Sequence, residues 1–327
     1  MNIAMPANGN TVPGAVIVGD IGGTNARFGV VDEKGHVRHH KTLKVEDYPD
    51  FHIAFRDYLD HLDDRLTAAC FAVAGPVSEG QASFTNSPWR INRRELCKMF
   101  NMDDVMVVND FEALSRFALT PLQDDIVSVK AGMPMMGAPV VTIGPGTGLG
   151  QGLVVPHRYL PVPVAAEGGH VVLPATNERE HAIVMALNKT LRRTASAEDV
   201  LCGSGIVRLH LAMALCDNVV AAETTPAEVT AGALAGDARC RATLDQFCAF
   251  LGIVASNAVL ATGGRGGVML AGGILPRFQE ILLSSPFVER FIGQSAMTHY
   301  LEQVPVFLLT AGDAAMRGAA AILRDPH

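Results

Sequence analysis

The sequence predicts an α/β protein of two domains, and three observations carry that expectation. The chain has 327 residues, more than the ~250–300 at which a single core stops growing. Apolar runs of strand length alternate with segments of helical periodicity. A strand, glycine corner, strand unit occurs twice, at residues 16 to 31 and again at 140 to 156, a weak internal repeat that suggests two related halves.

The elements follow in order. The first 14 residues, "MNIAMPANGNTVPG", lack the basic start and apolar centre of a secretory signal and read as a flexible tail. Strands are expected at 15 to 20, 26 to 32 and 36 to 45, with Glu33-Lys34-Gly35 as a hairpin turn. Phe51, Ala54, Phe55, Tyr58, Leu59 and Leu62 recur at helical spacing and predict a helix over about 50 to 64. A strand at 68 to 75, a helix near 92 to 100 and a strand at 105 to 110 complete a small domain over 15 to 119.

The stretch 120 to 139 is rich in Pro, Gly and Asp and reads as the boundary loop. A larger domain, 120 to 310, restarts with strands at 140 to 144, 151 to 156 and 159 to 165. Asn177 with Glu180 reads as a capping box, and Ser196 with Asp199 as another helix start. Leu244, Phe247, Leu251, Val254, Ala258 and Val259 sustain a helix over 238 to 262 that stops at Gly263-Gly264. Strands at 267 to 274 and 304 to 310 precede a last helix, 314 to 323, expected to return with 311 to 327 to the small domain.

Composition excludes several classes. A net charge of −7 without a Lys/Arg run gives no footprint for nucleic acid. No stretch of 18 apolar residues escapes interruption by Gly, Pro or charge, so no membrane span is expected. Six cysteines without a C-x-x-C read as buried thiols of a reducing compartment, the cytoplasm. A homodimer is the base-rate expectation.

Chemistry concentrates at the corners. In "GDIGGT", Gly22-Gly23 after Asp20 lets a backbone approach a ligand closely, turn N–H groups suit phosphate oxygens, and Asp20 could hold Mg²⁺ through water. A simple hairpin connection is the equal alternative for that stretch alone. "GPGTGLG" repeats the chemistry with Gly146, Thr147, Gly148 and Gly150, so two corners could grip one polyphosphate. Neither corner is a P-loop or a dinucleotide fingerprint. Asn109 and Asp110 end an apolar strand, where α/β sheets place ligands, although Asp110 equally suits a cap for the helix beginning "FEALSRF". Glu198 in "SAED", taken alone, reads as a helix-start acid before it reads as a ligand. Trp89 could line a ligand face, though a lone Trp more often sits in the core. Glu167 and His170, with the Glu-x-x-His pair Glu178 and His181, raise a metal site, which the glycine pair of "EGGH" disfavours by breaking one helix.

"GDIGGTNARF", "VAGPV", "TNSPW", "VNDFEA", "GPGTGLG", "EGGH", "SAEDVLCGSGI" and "LAGGI", in this order, closely resemble the bacterial ATP-dependent glucokinases of the hexokinase and actin-like ATPase superfamily, from about residue 15 to 325. The resemblance implies a ribonuclease H-like two-domain fold with an interdomain cleft that closes on its substrates. It implies transfer of the γ-phosphoryl of MgATP to the 6-hydroxyl of D-glucose. Gly19 to Thr24 (Gly19, Asp20, Ile21, Gly22, Gly23, Thr24) and Gly146 to Gly150 would bind the phosphates and Mg²⁺, and Gly272-Gly273 would lie by the adenosine. Asp110 would be the base, and Asn109, Glu167, His170 and Glu198, with Asp110, the sugar ligands. The end of the chain departs from the family's Gly-Leu-x-Gly-Ala-Ala pattern, keeping Gly318 and Ala319-Ala320. A kinase for another hexose or using polyphosphate, and a non-catalytic sugar sensor, remain the alternatives at this point.

Overall fold

The computed structural model describes residues 14–63, 66–84, 88–158, 160–221 and 223–325. The expected N-terminal tail, apart from Gly14, and Thr85 to Ser87 of "TNSPW" lie outside the described residues. Two compact units are present. One holds the chain up to Pro121 with Val154–Ala165 and Ala311 onward, and the other holds Leu122–Leu153 with Ala166–Thr310. Segment 154–165, within the span expected for the larger domain, thus groups with the first unit.

The first unit begins with β1 (Val16–Ile21), β2 (Asn25–Val31) and β3 (Val37–Lys44), an antiparallel meander. α1 (Phe51–Leu59) follows, its N-terminus capped by Asp50 Oδ1, which accepts the Ile53 N–H at 3.0 Å. The helix stops short of the expected residue 64, where Asp60 and Asp63 would set acidic charge against the C-terminal dipole. β4 (Ala68–Val73) pairs parallel with β1. A small antiparallel sheet, β5 (Val77–Ser78), β6 (Gln81–Ser83) and β7 (Arg90–Asn92), was not foreseen because its strands are too short to show alternation. α2 (Arg93–Phe100) leads to β8 (Asp104–Asn109) and directly into α3 (Asp110–Phe117). The main sheet runs β3-β2-β1-β4-β8.

Phe28, Phe51, Phe55, Tyr58 and Phe71 fill one face of that sheet, with rings 5.1 to 6.4 Å apart where Phe28 meets the others. Each such side chain contributes about 1.5–3 kcal/mol on burial. Trp89 belongs to this cluster, buried against Phe51 with its Nε1–H donated to Tyr48 O at 3.0 Å, so it is core and not sugar lining. The other face is covered by α3 and by the last helix of the chain, α11 (Ala314–Arg324). A Cβ on Gly318 would collide with the Ala113 carbonyl, so the glycine that survives in the atypical C-terminal pattern is the one that lets α11 sit against α3.

The second unit opens with β9 (Ile126–Lys130), a strand hidden in the sequence by the Pro, Gly and Asp on both sides of it. It pairs antiparallel with β14 (Val306–Leu309) at a sheet edge. β10 (Val140–Pro145), β11 (Leu149–Val155), β12 (Val162–Ala166) and β13 (Gly267–Leu270) complete the order β12-β11-β10-β13-β14-β9. Without β9, the order repeats that of the first sheet, meander first and two parallel strands beyond, so the twofold glycine corner reflects a repeated topology.

Helices α4 (Glu178–Leu191), α5 (Gly203–Cys216), α6 (Pro226–Leu234) and α7 (Ala238–Thr262) supply most of this core. Asn177 caps α4, but Glu180 is not its capping-box partner. Its carboxylate is buried and turned to the Thr176 N–H at 2.8 Å and the Arg290 guanidinium at 2.6 Å. α7 is long and apolar enough to cross a membrane by length and composition, yet 72% of its apolar window is buried in the core. α8 (Gln279–Ser284), α9 (Phe287–Ile292) and α10 (Thr298–Glu302) are short connections before β14.

Candidate functional site

Each glycine corner closes on itself by one backbone bond. Gly22 N–H donates to Asn25 O at 2.9 Å, and Gly146 N–H to Gly148 O at 2.8 Å. The N–H groups of Gly22 and Gly146 are thereby spent, while Gly23, Thr24 and Thr147 are exposed at the tips. Gly19 and Ile21 lie inside β1. Gly19 is glycine for packing, since a Cβ there would stand 2.7 Å from the Phe71 ring. Gly150 lies inside β11 and not on the corner. Ile21 is fully buried, so only its backbone is available to a ligand.

On the first unit, β1 and β2 place Asp20 opposite Arg27 in register, and Arg27 Nη1 pairs with Asp20 Oδ2 at 2.8 Å. Arg27 was missed in the sequence, although counting outward from the closing pair Gly22–Asn25 sets 20 against 27. β8 delivers Asn109 and Asp110 beside this corner. Asn109, not Asp110, is the cap of α3: its Oδ1 accepts the Phe111 N–H at 2.9 Å, and its Nδ2 donates to Gly75 O at 3.0 Å. Glu112 completes the cap by accepting the Asn109 N–H, and burial pushes its carboxyl up against that bond.

Asp110 is the first residue of α3, partly buried, and its Oδ1 shares the Phe111 N–H with Asn109, at 3.0 Å, which leaves Oδ2 outside the cap. Burial and then the Asp20 carboxylate push it up to about 7, against the N–H groups of Phe111 and of Asp110 itself. A carboxyl poised there exchanges its proton near neutrality, as a general base requires. Two neighbouring carboxylates also form a hard oxygen donor set. Among the described residues no group of three or more His, Cys, Asp and Glu could hold a metal ion. As a hard oxygen donor set, these carboxylates would suit a Mg²⁺ that keeps waters and takes phosphate oxygens as its remaining ligands.

On the second unit, the corner meets three other segments. Gly203 N–H, at the start of α5, donates to Gly146 O at 2.9 Å. Gly272 has φ +86° and would drive a Cβ into the Pro145 carbonyl, so "AGGI" is glycine-rich in order to pack on the corner; Gly273 is exposed beside it. A hollow of about 510 Å³ opens here, lined by Thr147, Gly203, Ser204, Val207 and Pro226.

Glu198 Oε2 accepts the Leu149 N–H at 2.8 Å, in space left open by Gly148. It is not a helix-start acid, because α5 begins only at Gly203 and residues 196–200 form turns. Glu198 N–H donates to Gly169 O at 2.8 Å, which ties "SAED" to "EGGH". The glycine pair there makes one 3-10 turn, Gly168–His170, on which Glu167 and His170 are both exposed and 3.7 Å apart. His170, Glu198, Arg193, Ser196, Asp199 and Val172 line a pocket of about 350 Å³.

A sheet topology repeated in two halves, each with a glycine corner between its first strands, defines the class of actin-like ATPase-fold sugar kinases. The crystal structure of a glucokinase from an Antarctic psychrotroph is similar with a TM-score of 0.86 and 35% identity, covering 95% of this chain and 99% of that one. A ROK family glucokinase from Streptomyces griseus, solved with glucose and AMPPNP, shares the fold at a TM-score of 0.64, with 20% identity over 94% of this chain and 99% of that one. The glucokinase of Chromobacterium violaceum is 39% identical over 312 residues, 94% of this chain and 89% of that protein. The Glucokinase family model matches residues 17–326, and the chain belongs to the glucokinase family.

Proposed function

We propose a division of labour among these residues for the phosphorylation of glucose by ATP, the reaction this chain performs as a member of its family. Asp110 accepts the proton of the sugar 6-hydroxyl as that oxygen attacks the γ-phosphorus. The observation that carries this assignment is the Asp110 carboxyl, only half used by the α3 cap that Asn109 provides and pushed up to about 7 by burial and by Asp20 beside it. Phosphoryl transfer needs positioning and charge neutralisation more than covalent help. The free N–H groups at Gly23 and Thr24, and at Thr147 and Gly148, supply donors to phosphate oxygens. Mg²⁺, held by Asp20 through water, would neutralise phosphate charge.

Glu198, His170 and Glu167 bind sugar hydroxyls in this reading. Asn109, with one amide proton left after its bond to Gly75 O, adds a donor. The hollow beside Thr147 and Gly272-Gly273 takes the nucleoside. A cytoplasmic location accords with six free cysteines and with the burial of α7, and a homodimer is retained on symmetry grounds.

The test is a coupled assay on purified protein with a panel of hexoses and with ATP or polyphosphate as donor. Glucose with MgATP should give glucose 6-phosphate most efficiently. Binding of glucose without turnover would overturn the assignment of Asp110 as an active base.

A further inference from the structure

We propose that Asp199, gripped by Arg193, is a positioning residue that holds the Glu198 carboxylate at the second glycine corner and thereby sets glucose affinity without touching the sugar. The inference rests on the reading of Glu198 as a sugar ligand.

Asp199 is 7% exposed, and both of its oxygens are engaged. Oδ1 accepts from Arg193 Nη2 at 2.7 Å; Oδ2 accepts from Arg193 Nη1 at 2.7 Å and from the Ser196 N–H and hydroxyl at 2.8 Å each. Oδ2 is saturated and Oδ1 is held by the guanidinium, so Asp199 is committed to Arg193 and Ser196 and acts through them. Burial pushes its carboxyl up, but Arg193 and the two Ser196 donors outweigh burial and hold it at about 2. It is therefore an anion throughout the working range.

The consequence of this grip is local. Segment 195–200 has no helix or strand hydrogen bonds of its own beyond the single Val172–Ser196 bridge. It is fixed by the Asp199 side chain from within, by the Arg208 Nε bond to Asp199 O at 2.7 Å, by the Ala195 N–H bond to Asn188 Oδ1 at 2.7 Å, by the backbone bonds Ala197 N–H to Val171 O and Glu198 N–H to Gly169 O at 2.8 Å, and by turn bonds such as Leu201 N–H to Ala197 O at 2.8 Å. Consecutive side chains in such a turn point apart. Anchoring Asp199 toward Arg193 leaves Glu198 aimed into the space at Gly148, where its Oε2 meets Leu149 N–H. The backbone bonds hold residue 198 in place; what the clamp adds is the angle of the turn at 198 and 199, and a displacement of about 1 Å is enough to weaken a positioned contact severely.

The experiment is a double-mutant cycle on glucose binding with Asp199→Asn and Glu198→Ala, read as KM for glucose, KM for ATP and kcat, at a temperature where melting curves show every variant folded. Asp199→Asn should raise KM for glucose about tenfold or more and KM for ATP within about threefold. In the Glu198→Ala background the same change should move KM for glucose less than about twofold, because the group it positions is gone. Equal fold-changes in the two backgrounds, or an unchanged KM for glucose, would overturn the inference. If Glu198→Ala alone leaves glucose affinity intact, it is the sugar-ligand reading that fails, and this inference with it. Should Asp199→Asn not fold, Arg193→Gln and Arg193→Lys replace it, since Arg193 is half exposed. Gln should reproduce the defect and Lys should restore part of the affinity; equal defects, or none, would count against the clamp.

Discussion

Glu198 Oε2 stands 2.8 Å from the backbone nitrogen of Leu149, so a proposed sugar ligand is hydrogen-bonded to the first residue of β11, just past the second glycine corner. The bond exists because residue 148 has no side chain: a Cβ there would overlap the Glu198 carboxylate. Gly148→Ala should therefore push Glu198 aside and raise KM for glucose about tenfold or more while the melting temperature shifts by only a few degrees. An unchanged glucose KM in the Gly148→Ala variant would show that the carboxylate position is unimportant.

Glu198→Gln keeps an oxygen for the Leu149 N–H but exchanges an ionised acceptor for a neutral one. Charge-assisted hydrogen bonds are roughly twice as strong as neutral ones, so glucose binding should weaken by about one to two orders of magnitude with the fold intact. Calorimetry with glucose decides it; equal affinity would leave Glu198 only its backbone role.

Asp110→Asn should lower kcat by at least about a hundredfold, the lower end of what a general base contributes, with glucose still bound. Its stability effect has a definite sign. The folded value of about 7 lies above the ordinary carboxylate value, so the folded state holds a proton that the unfolded state has released. The Asp110 contribution to stability is thus full below about pH 4 and is lost as pH rises through about 7. Without Mg²⁺ and nucleotide, the variant should be more stable than wild type at pH 8, by about 1 kcal/mol or more, and equal to it near pH 4. Asn109, which carries the cap, is untouched. Melting curves at the two pH values check this; a less stable variant at pH 8 would contradict the buried, raised carboxyl.

Asp199 works in the opposite sense. Its folded value of about 2 lies below that of the unfolded chain, so its stabilisation is present above about pH 4 and lost as pH falls toward 2. The full shift corresponds to about 2.5 kcal/mol, but Arg193 is half exposed and solvent screens the pair, so Asp199→Asn should cost about 1 kcal/mol at pH 7. Denaturant titrations at pH 7 and pH 3 should show the difference shrinking with acid.

Gly318→Val should separate α11 from α3, because even one methylene meets the Ala113 carbonyl. Forced overpacking of this kind costs about 1–3 kcal/mol. Since α3 begins at Asp110, kcat should fall along with stability. A fully stable, fully active variant would mean that α11 can shift without consequence.

Much of this was legible in the sequence because it depends on local chemistry. Periodicity marked α7 from Ala238 to Thr262, alternation and turn residues marked the first meander, and two glycine corners with their flanking motifs carried the kinship with ATP-dependent glucokinases. β9 was not legible, since a five-residue edge strand owes its existence to β14, nearly two hundred residues away. Nor was the fate of competing roles. Asp110 and Asn109 suit the helix cap equally well by type, and only the fold made Asn109 the N-cap, with Asp110 sharing its donor and raised by burial and by Asp20. Glu198 looked like a helix-start acid until α5 was found to begin at Gly203. Residue type sets what a side chain can do; which partner it meets, and so its charge and its task, depends on burial and on neighbours distant in the chain, and those exist only once the tertiary structure has formed.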